Sequence, residues 1–199
     1  MNQSTELRFK NQAKSKVFNN IIDIFRLNKK SVLDIGCSNG EFLTHFGGNS
    51  LGITISQDEV DYGKSKGLNI KYGNIEYDDL NIPENSFDVI FANNLLEHLY
   101  SPHNFLNKIK KYLKKDGFLI LGVPCVPELR CLLNLKKFRG SLAVSHINFF
   151  NRHTLIKTVE KSGWNILGVR GFRFKNRTID HLLDPVYPHF YVIAKVDND

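Results

Sequence analysis

The segment Val32-Leu33-Asp34-Ile35-Gly36-Cys37-Ser38-Asn39-Gly40-Glu41-Phe42-Leu43 constrains this chain more than any other. A short apolar run leads into an aspartate, two glycines bracket a tight turn, and apolar-periodic sequence follows. The pattern predicts a buried strand at 31–36, a glycine loop, and a helix opening at Glu41. Glycine lets the backbone bend sharply and leaves no Cβ where a ligand approaches. Asp34 falls at the carboxyl end of the strand, where open α/β sheets bind their ligands.

What the loop lacks narrows its ligand. Ser38 stands two residues after Gly36, where a Gly-x-Gly-x-x-Gly fingerprint needs glycine, which argues against a dinucleotide. Gly63-Lys64-Ser65 resembles the end of a P-loop, but Asp58 occupies the place of the required earlier glycine. An acidic residue before the turn repels a pyrophosphate and suits a ligand carrying an ammonium group.

Further along, apolar strands alternate with helical patterns. A lead-in helix is expected over 6–28, strands at 50–55, 69–72, 87–92 and 117–123, and helices at 57–66 and 102–113. After Pro124 the pattern is lost, and 125–148 reads as an insertion or substrate lid. A helix at 151–162 and strands at 164–172 and 187–196 close the chain. The alternation predicts an α/β fold, a Rossmann-like, doubly wound, mostly parallel seven-stranded sheet with an antiparallel hairpin at its edge. No linker or repeat divides the 199 residues, so a single domain over 1–199 is expected, with a lead-in at 1–30 and a cofactor-binding core at 31–124.

The Asp-x-Gly-Cys-x-x-Gly loop resembles the first motif of class I S-adenosylmethionine-dependent methyltransferases. Three ordered matches extend the resemblance over most of the chain. They are Gly73-Asn74-Ile75-Glu76 with Asn81-Ile82-Pro83-Glu84-Asn85-Ser86-Phe87-Asp88, then Asn93-Asn94-Leu95-Leu96-Glu97-His98-Leu99, then Leu113-Lys114-Lys115-Asp116-Gly117-Phe118. Ser145-His146-Ile147-Asn148-Phe149-Phe150, Leu155 and Gly163-Trp164 resemble the late segment of small-molecule enzymes of the ubiquinone-biosynthesis O-methyltransferase kind.

The resemblance implies a site. Asp34 and the loop Gly36, Cys37, Ser38 and Gly40 would hold the methionine end of S-adenosylmethionine, with the backbone of Asn93 near the same group. Thr54, Ile55 and Glu59 would border the ribose and adenine, and Asn74 and Ile75 the adenine edge. Two departures stand out. Thr54 replaces the acid that commonly ends the second strand, as in Gly-x-Thr-x-Ser of the cyclopropane fatty-acid synthase branch, and Glu59 is a candidate to replace that acid one helical turn later. Asn74 replaces the usual aspartate, and its amide oxygen can accept the adenine amino group more weakly. S-adenosylhomocysteine is the implied product.

The donor's sulfonium already activates the methyl group, so no metal is expected, and the cysteine spacing has no Cys-x-x-Cys pair. An acceptor hydroxyl or amine needs a base, and His98 and His146 are the candidates. The other five histidines have no motif support. Phe118, Phe138, Phe149, Phe150 and Phe172 are candidates to line an acceptor pocket.

Composition bounds the partners. A net charge of +7 raises nucleic acid as a partner. Its excess is local, with Lys108, Lys110, Lys111, Lys114 and Lys115 along one expected helix and Lys136, Lys137 and Arg139 in the lid. The absence of an aromatic-interleaved basic motif argues against nucleic acid, and the lack of an Asn-Pro-Pro-Tyr motif after strand four argues against base or glutamine methylation. No apolar run reaches membrane-span length, and the amino terminus carries no apolar signal region. Cys37, Cys125 and Cys131 read as reduced thiols of a cytoplasmic protein. The expected function is methyl transfer to a small-molecule acceptor such as a sugar or lipid-linked metabolite. The alternatives are RNA or protein methylation, a non-catalytic cofactor-binding homologue, and a nicotinamide oxidoreductase.

Overall fold

A computed structural model describes residues 3–127, 136–184 and 187–197. Seven strands form one sheet: β1 (Val32–Ile35), β2 (Leu51–Thr54), β3 (Ile70–Tyr72), β4 (Phe87–Asn93), β5 (Leu113–Pro124), β6 (Trp164–Arg170) and β7 (His189–Val196). Their order is β3-β2-β1-β4-β5-β7-β6. The first five are parallel neighbours, and β7 runs antiparallel to both β5 and β6. The edge hairpin is therefore threaded, with β7 between β5 and β6.

Alternating side chains send the sheet's two faces into two cores. Leu33, Ile35, Ile53, Ile90, Leu119 and Leu121 pack with Phe105, Leu106, Leu155 and Trp164. The first two of these partners lie on α4 (Pro102–Ile109), and Leu155 lies on α5 (Arg152–Lys161). On the other face, Val32, Val89, Phe91 and Ile120 pack with Phe18, Ile21 and Val60. These last come from α2 (Lys16–Phe25) and α3 (Gln57–Ser65). Helices thus cover both faces, as the near-continuous apolar strands require.

Several boundaries depart from expectation. The lead-in is two helices, α1 (Gln3–Ala13) and α2. They separate because the Ser15 side chain accepts a hydrogen bond from the Phe18 amide at 3.3 Å, capping α2. No α-helix opens at Glu41; one 3-10 turn, Leu43–His45, takes its place. Six residues separate Gly40 from Gly47, too few to propagate a helix. At Gly47 the chain presses on Lys30, where an added Cβ would lie 2.4 Å from the Lys30 carbonyl oxygen. The helix expected over 102–113 ends at Ile109, a 3-10 turn spans Lys110–Tyr112, and β5 starts at Leu113.

That change dissolves the expected lysine stripe, because Lys114 and Lys115 lie on β5 rather than on α4. Most of the stripe is engaged locally. Lys108 donates to the Asp78 carbonyl at 2.6 Å, Lys114 Nζ lies 2.8 Å from Asp88, and Lys111 lies 3.6 Å from Glu84. A short helix α6 (Arg177–Leu182) was not anticipated. It supplies the fully buried Asp180, whose Oδ2 takes the Arg170 guanidinium at 2.7 Å. No helix among the described residues is long and apolar enough to cross a membrane.

Candidate active site

Strand order reverses between β1 and β4, and a crevice opens beyond the carboxyl ends of strands at such a switch point. A cavity of about 290 Å³ lies there. Its wall draws on the turns after four strands: Gly36 and Ser38 after β1, Thr54 and Ile55 at β2, Asn74 and Ile75 after β3, and Leu95 and His98 after β4. Glu59 reaches it from the first turn of α3.

The glycine loop is shaped by backbone that few residues adopt. Gly36 has φ 78°, and an added Cβ would lie 3.2 Å from Leu95 Cδ1. Ser38 also holds a positive φ, 50°, and its hydroxyl donates to Glu59 Oε1 at 2.8 Å. The Thr54 hydroxyl donates to the other oxygen, Glu59 Oε2. The carboxylate absent from the end of β2 is thus delivered to it by α3, with Ser56 capping the helix that carries it.

Of the residues expected at the site, Gly36, Ser38, Thr54, Ile55, Glu59, Asn74, Ile75 and His98 come together on the cavity wall. Asp34, Cys37, Gly40 and Asn93 do not. Cys37 is buried against Gly52, and burial with the nearby carboxylates pushes its thiol far up, out of the reactive range. Gly40 closes on Ile70 and Leu68. Asp34 is 1% exposed beneath the loop, and its Oδ2 has no hydrogen-bond partner among the described residues. Burial, and then the Glu41 charge, raise its carboxyl well above the usual range. Asn74 is partly committed: its Oδ1 accepts from the Glu76 amide at 2.9 Å, leaving one lone pair.

His146 stands behind His98, with ring centroids 4.8 Å apart. The segment carrying it is pinned, since the Ile147 and Asn148 amides both donate to the Glu97 carbonyl at 3.0 Å. Glu97 itself escaped the sequence reading, although it adjoins His98 in a motif already singled out. It is 1% exposed, and neither carboxylate oxygen has a hydrogen-bond partner among the described residues. Burial raises its pKa to about 7. Arg8 of α1 was also missed. Its Nη2 donates to Ser38 Oγ at 3.2 Å, and its Nε lies 2.9 Å from Glu41, so α1 leans on the glycine loop.

The phenylalanines expected around an acceptor are placed differently. Phe118 and Phe172 pack on Phe25 on the α2 face, and Phe150 is buried in the opposite core. Among the described members of that set Phe149 alone is exposed, and Ile147 in the same segment is exposed too. Cys131 and the side chains of Lys137, Phe138 and Arg139 lie outside the described residues. The cavity rim instead carries Ile55, Tyr77 and Tyr100, each about two-thirds exposed or more (66%, 69% and 78%).

Comparison with known proteins agrees with this geometry. The family model of a methyltransferase domain matches residues 9–169. The ubiquinone biosynthesis O-methyltransferase of Glaesserella parasuis is 33% identical over 105 residues, covering 47% of this chain and 44% of the relative. The (S)-coclaurine N-methyltransferase of Papaver somniferum is 34% identical over 106 residues, covering 48% and 30%. These matches span less than half the length of either relative. A crystal structure of an S-adenosylmethionine-dependent methyltransferase from Archaeoglobus fulgidus superposes with a TM-score of 0.66 at 21% identity, covering 94% of this chain and 99% of that one. The chain belongs to the methyltransferase domain family, within the class I S-adenosylmethionine-dependent methyltransferases.

Proposed function

We propose that this chain transfers a methyl group from S-adenosylmethionine to a hydroxyl or amine of a small-molecule acceptor. The observation that carries the reading is the Glu59 carboxylate, held at the mouth of β2 by Ser38 and Thr54 on the wall of the 290 Å³ cavity. A carboxylate there suits a pair of vicinal ribose hydroxyls, each of which can donate to it.

The other residues fit the cofactor in kind. The buried, unpartnered Oδ2 of Asp34 gains from a cation nearby, which makes it a group tuned to the ammonium end. The Gly36 turn leaves its backbone open to approach. Asn74 keeps one lone pair for an amino group, and Ile55 and Tyr77 offer apolar surface to a base. When bound, the cofactor supplies an electrophilic methyl on sulfur. The chain's own task is to hold acceptor and donor in line and to drain the acceptor's proton. The cluster of His98, His146 and Glu97 is the outlet for that proton.

The curated relatives methylate oxygen in one case and nitrogen in another by their names, so the acceptor atom is left to experiment. Nucleic acid is disfavoured because several of the lysines that suggested it are engaged in local contacts away from the cavity. Two buried free thiols, Cys37 and Cys125, suit a reducing compartment such as the cytoplasm. The test is a panel of small hydroxyl and amine acceptors with isotopically labelled S-adenosylmethionine. Label in any acceptor supports the reading. Cofactor binding without transfer to any of them favours a non-catalytic homologue.

A further inference from the structure

The geometry points to a divalent metal site built from Glu97, His98 and His146 beside the cavity. One ligand atom from each lies within 4.8 Å of the others. Glu97 Oε1 is 3.9 Å from His98 Nε2 and 4.0 Å from His146 Nε2. Those separations are too long for hydrogen bonds. They exceed by under an ångström or so the spacing of about 3–3.5 Å between neighbouring ligands bonded at about 2.0–2.2 Å to one ion, and the widest separation in the set, 4.8 Å, exceeds it by about 1.5 Å. Side-chain rotation of the histidines would have to close the set.

The tautomers agree. His98 Nδ1 donates to the Ser145 carbonyl at 3.0 Å, and His146 Nδ1 donates to the Ser141 carbonyl at 3.3 Å. With the proton held on Nδ1, each Nε2 carries its lone pair toward Glu97. Metal-binding histidines are oriented in this way by a backbone carbonyl on the other nitrogen. Glu97 supplies the independent sign: a carboxylate 1% exposed, with neither oxygen hydrogen-bonded among the described residues, beside two imidazole Nε2 atoms. A cation satisfies all three groups at once.

The support is rigid on both sides. Glu97 and His98 sit on the 3-10 turn after β4, and His146 is tied to that turn by the Ile147 and Asn148 amides and by Asn148 Nδ2, which donates to the Leu99 carbonyl at 2.6 Å. Two imidazoles and one carboxylate leave coordination positions open, and suit Zn²⁺, Fe²⁺, Mn²⁺ or Co²⁺ rather than an all-oxygen ion. His98 belongs to the cavity wall, which places the cluster beside the cavity. If the chain is the methyltransferase proposed above, an oxygen acceptor binds there. The ion would lower the acceptor's pKa so that its proton passes to solvent water, which replaces the proton outlet assigned above to the bare cluster, and the two histidines would serve as ligands.

The experiment titrates chelator-treated full-length protein with Zn²⁺ by calorimetry and with Co²⁺ by visible absorption. S-adenosylhomocysteine binding is measured on the same samples. Wild type is expected to bind one ion, with Co²⁺ d–d bands of a nitrogen-oxygen site. Glu97→Gln and His146→Ala are expected to bind at least about tenfold more weakly while still folding, as judged by their melting transitions. Folded wild type without stoichiometric binding overturns the site, and so does binding equally tight in both variants. Ion binding without S-adenosylhomocysteine binding sustains the metal site and removes the cofactor reading instead.

Discussion

Replacing Glu59 by glutamine tests how this chain compensates for Thr54 at the end of β2. The carboxylate accepts from the Ser38 hydroxyl at 2.8 Å and from the Thr54 hydroxyl. A hydrogen bond to a charged group contributes about 1.5–3 kcal/mol, and a neutral one about 1 kcal/mol. Glutamine keeps one acceptor oxygen, so the free protein loses about 1 kcal/mol of stability and stays folded. Cofactor binding loses more, because the ribose hydroxyls forfeit a charged acceptor. At about 1.4 kcal/mol per tenfold, that is about a 10- to 150-fold weaker Kd for S-adenosylhomocysteine. The control is the same titration with the 2′-deoxyribose analogue. If Glu59 takes the ribose directly, the substitution and the missing hydroxyl are coupled by about 1 kcal/mol or more, and the analogue loses less affinity than the parent. Equal loss for both ligands refutes the reasoning and leaves Glu59 as a brace for Ser38 and Thr54.

Other perturbations follow from single features. Gly36→Ala puts a Cβ on a residue at φ 78°, 3.2 Å from Leu95 Cδ1; about 1–2 kcal/mol of strain and weaker S-adenosylhomocysteine binding are expected by melting and calorimetry, and unchanged affinity contradicts the close approach. Asp180 is fully buried and binds Arg170, the Phe174 amide and the Tyr187 hydroxyl, so Asp180→Asn should cost about 3–5 kcal/mol in chemical denaturation, and a loss below about 1 kcal/mol refutes the network. Burial pulls the His189 pKa down to about 4, so the unfolded chain binds the extra proton first, and stability falls as pH drops from about 6.5 towards 4. The residue as a whole is half-buried, so the loss is about 1–2 kcal/mol; His189→Gln should flatten that limb of the stability profile, and an unchanged slope contradicts it.

Much of the architecture was legible because it rests on local patterns. Apolar strands at 32–35, 51–54 and 87–93 alternate with helical stretches, and each strand read from sequence is present within a few residues. The errors fall where a short-range hydrogen bond overrides periodicity. The Ser15 cap splits the lead-in helix, and the tight Gly47 turn leaves no length for a helix after Gly40. The cavity wall was legible for residues in strand-end motifs, such as Gly36, Thr54 and Asn74. It was less so for side chains whose exposure depends on packing: Cys37 carries a motif position but packs against Gly52, and Asp34 lies buried beneath the loop rather than on the cavity wall. Glu97 with His146 was out of reach for another reason. Their partnership joins the turn after β4 to a residue nearly fifty positions later, and no spacing rule joins residues brought together only by the tertiary fold.

The central claim is that the cavity at the carboxyl ends of β1 and β2 binds S-adenosylmethionine. Calorimetric titration of the purified chain with S-adenosylmethionine and S-adenosylhomocysteine, beside Asp34→Ala, tests it most directly. Binding of both in the micromolar range, about −8 kcal/mol, and loss of that binding in a folded Asp34→Ala protein, is the predicted result. A correctly folded wild type that binds neither ligand contradicts the account.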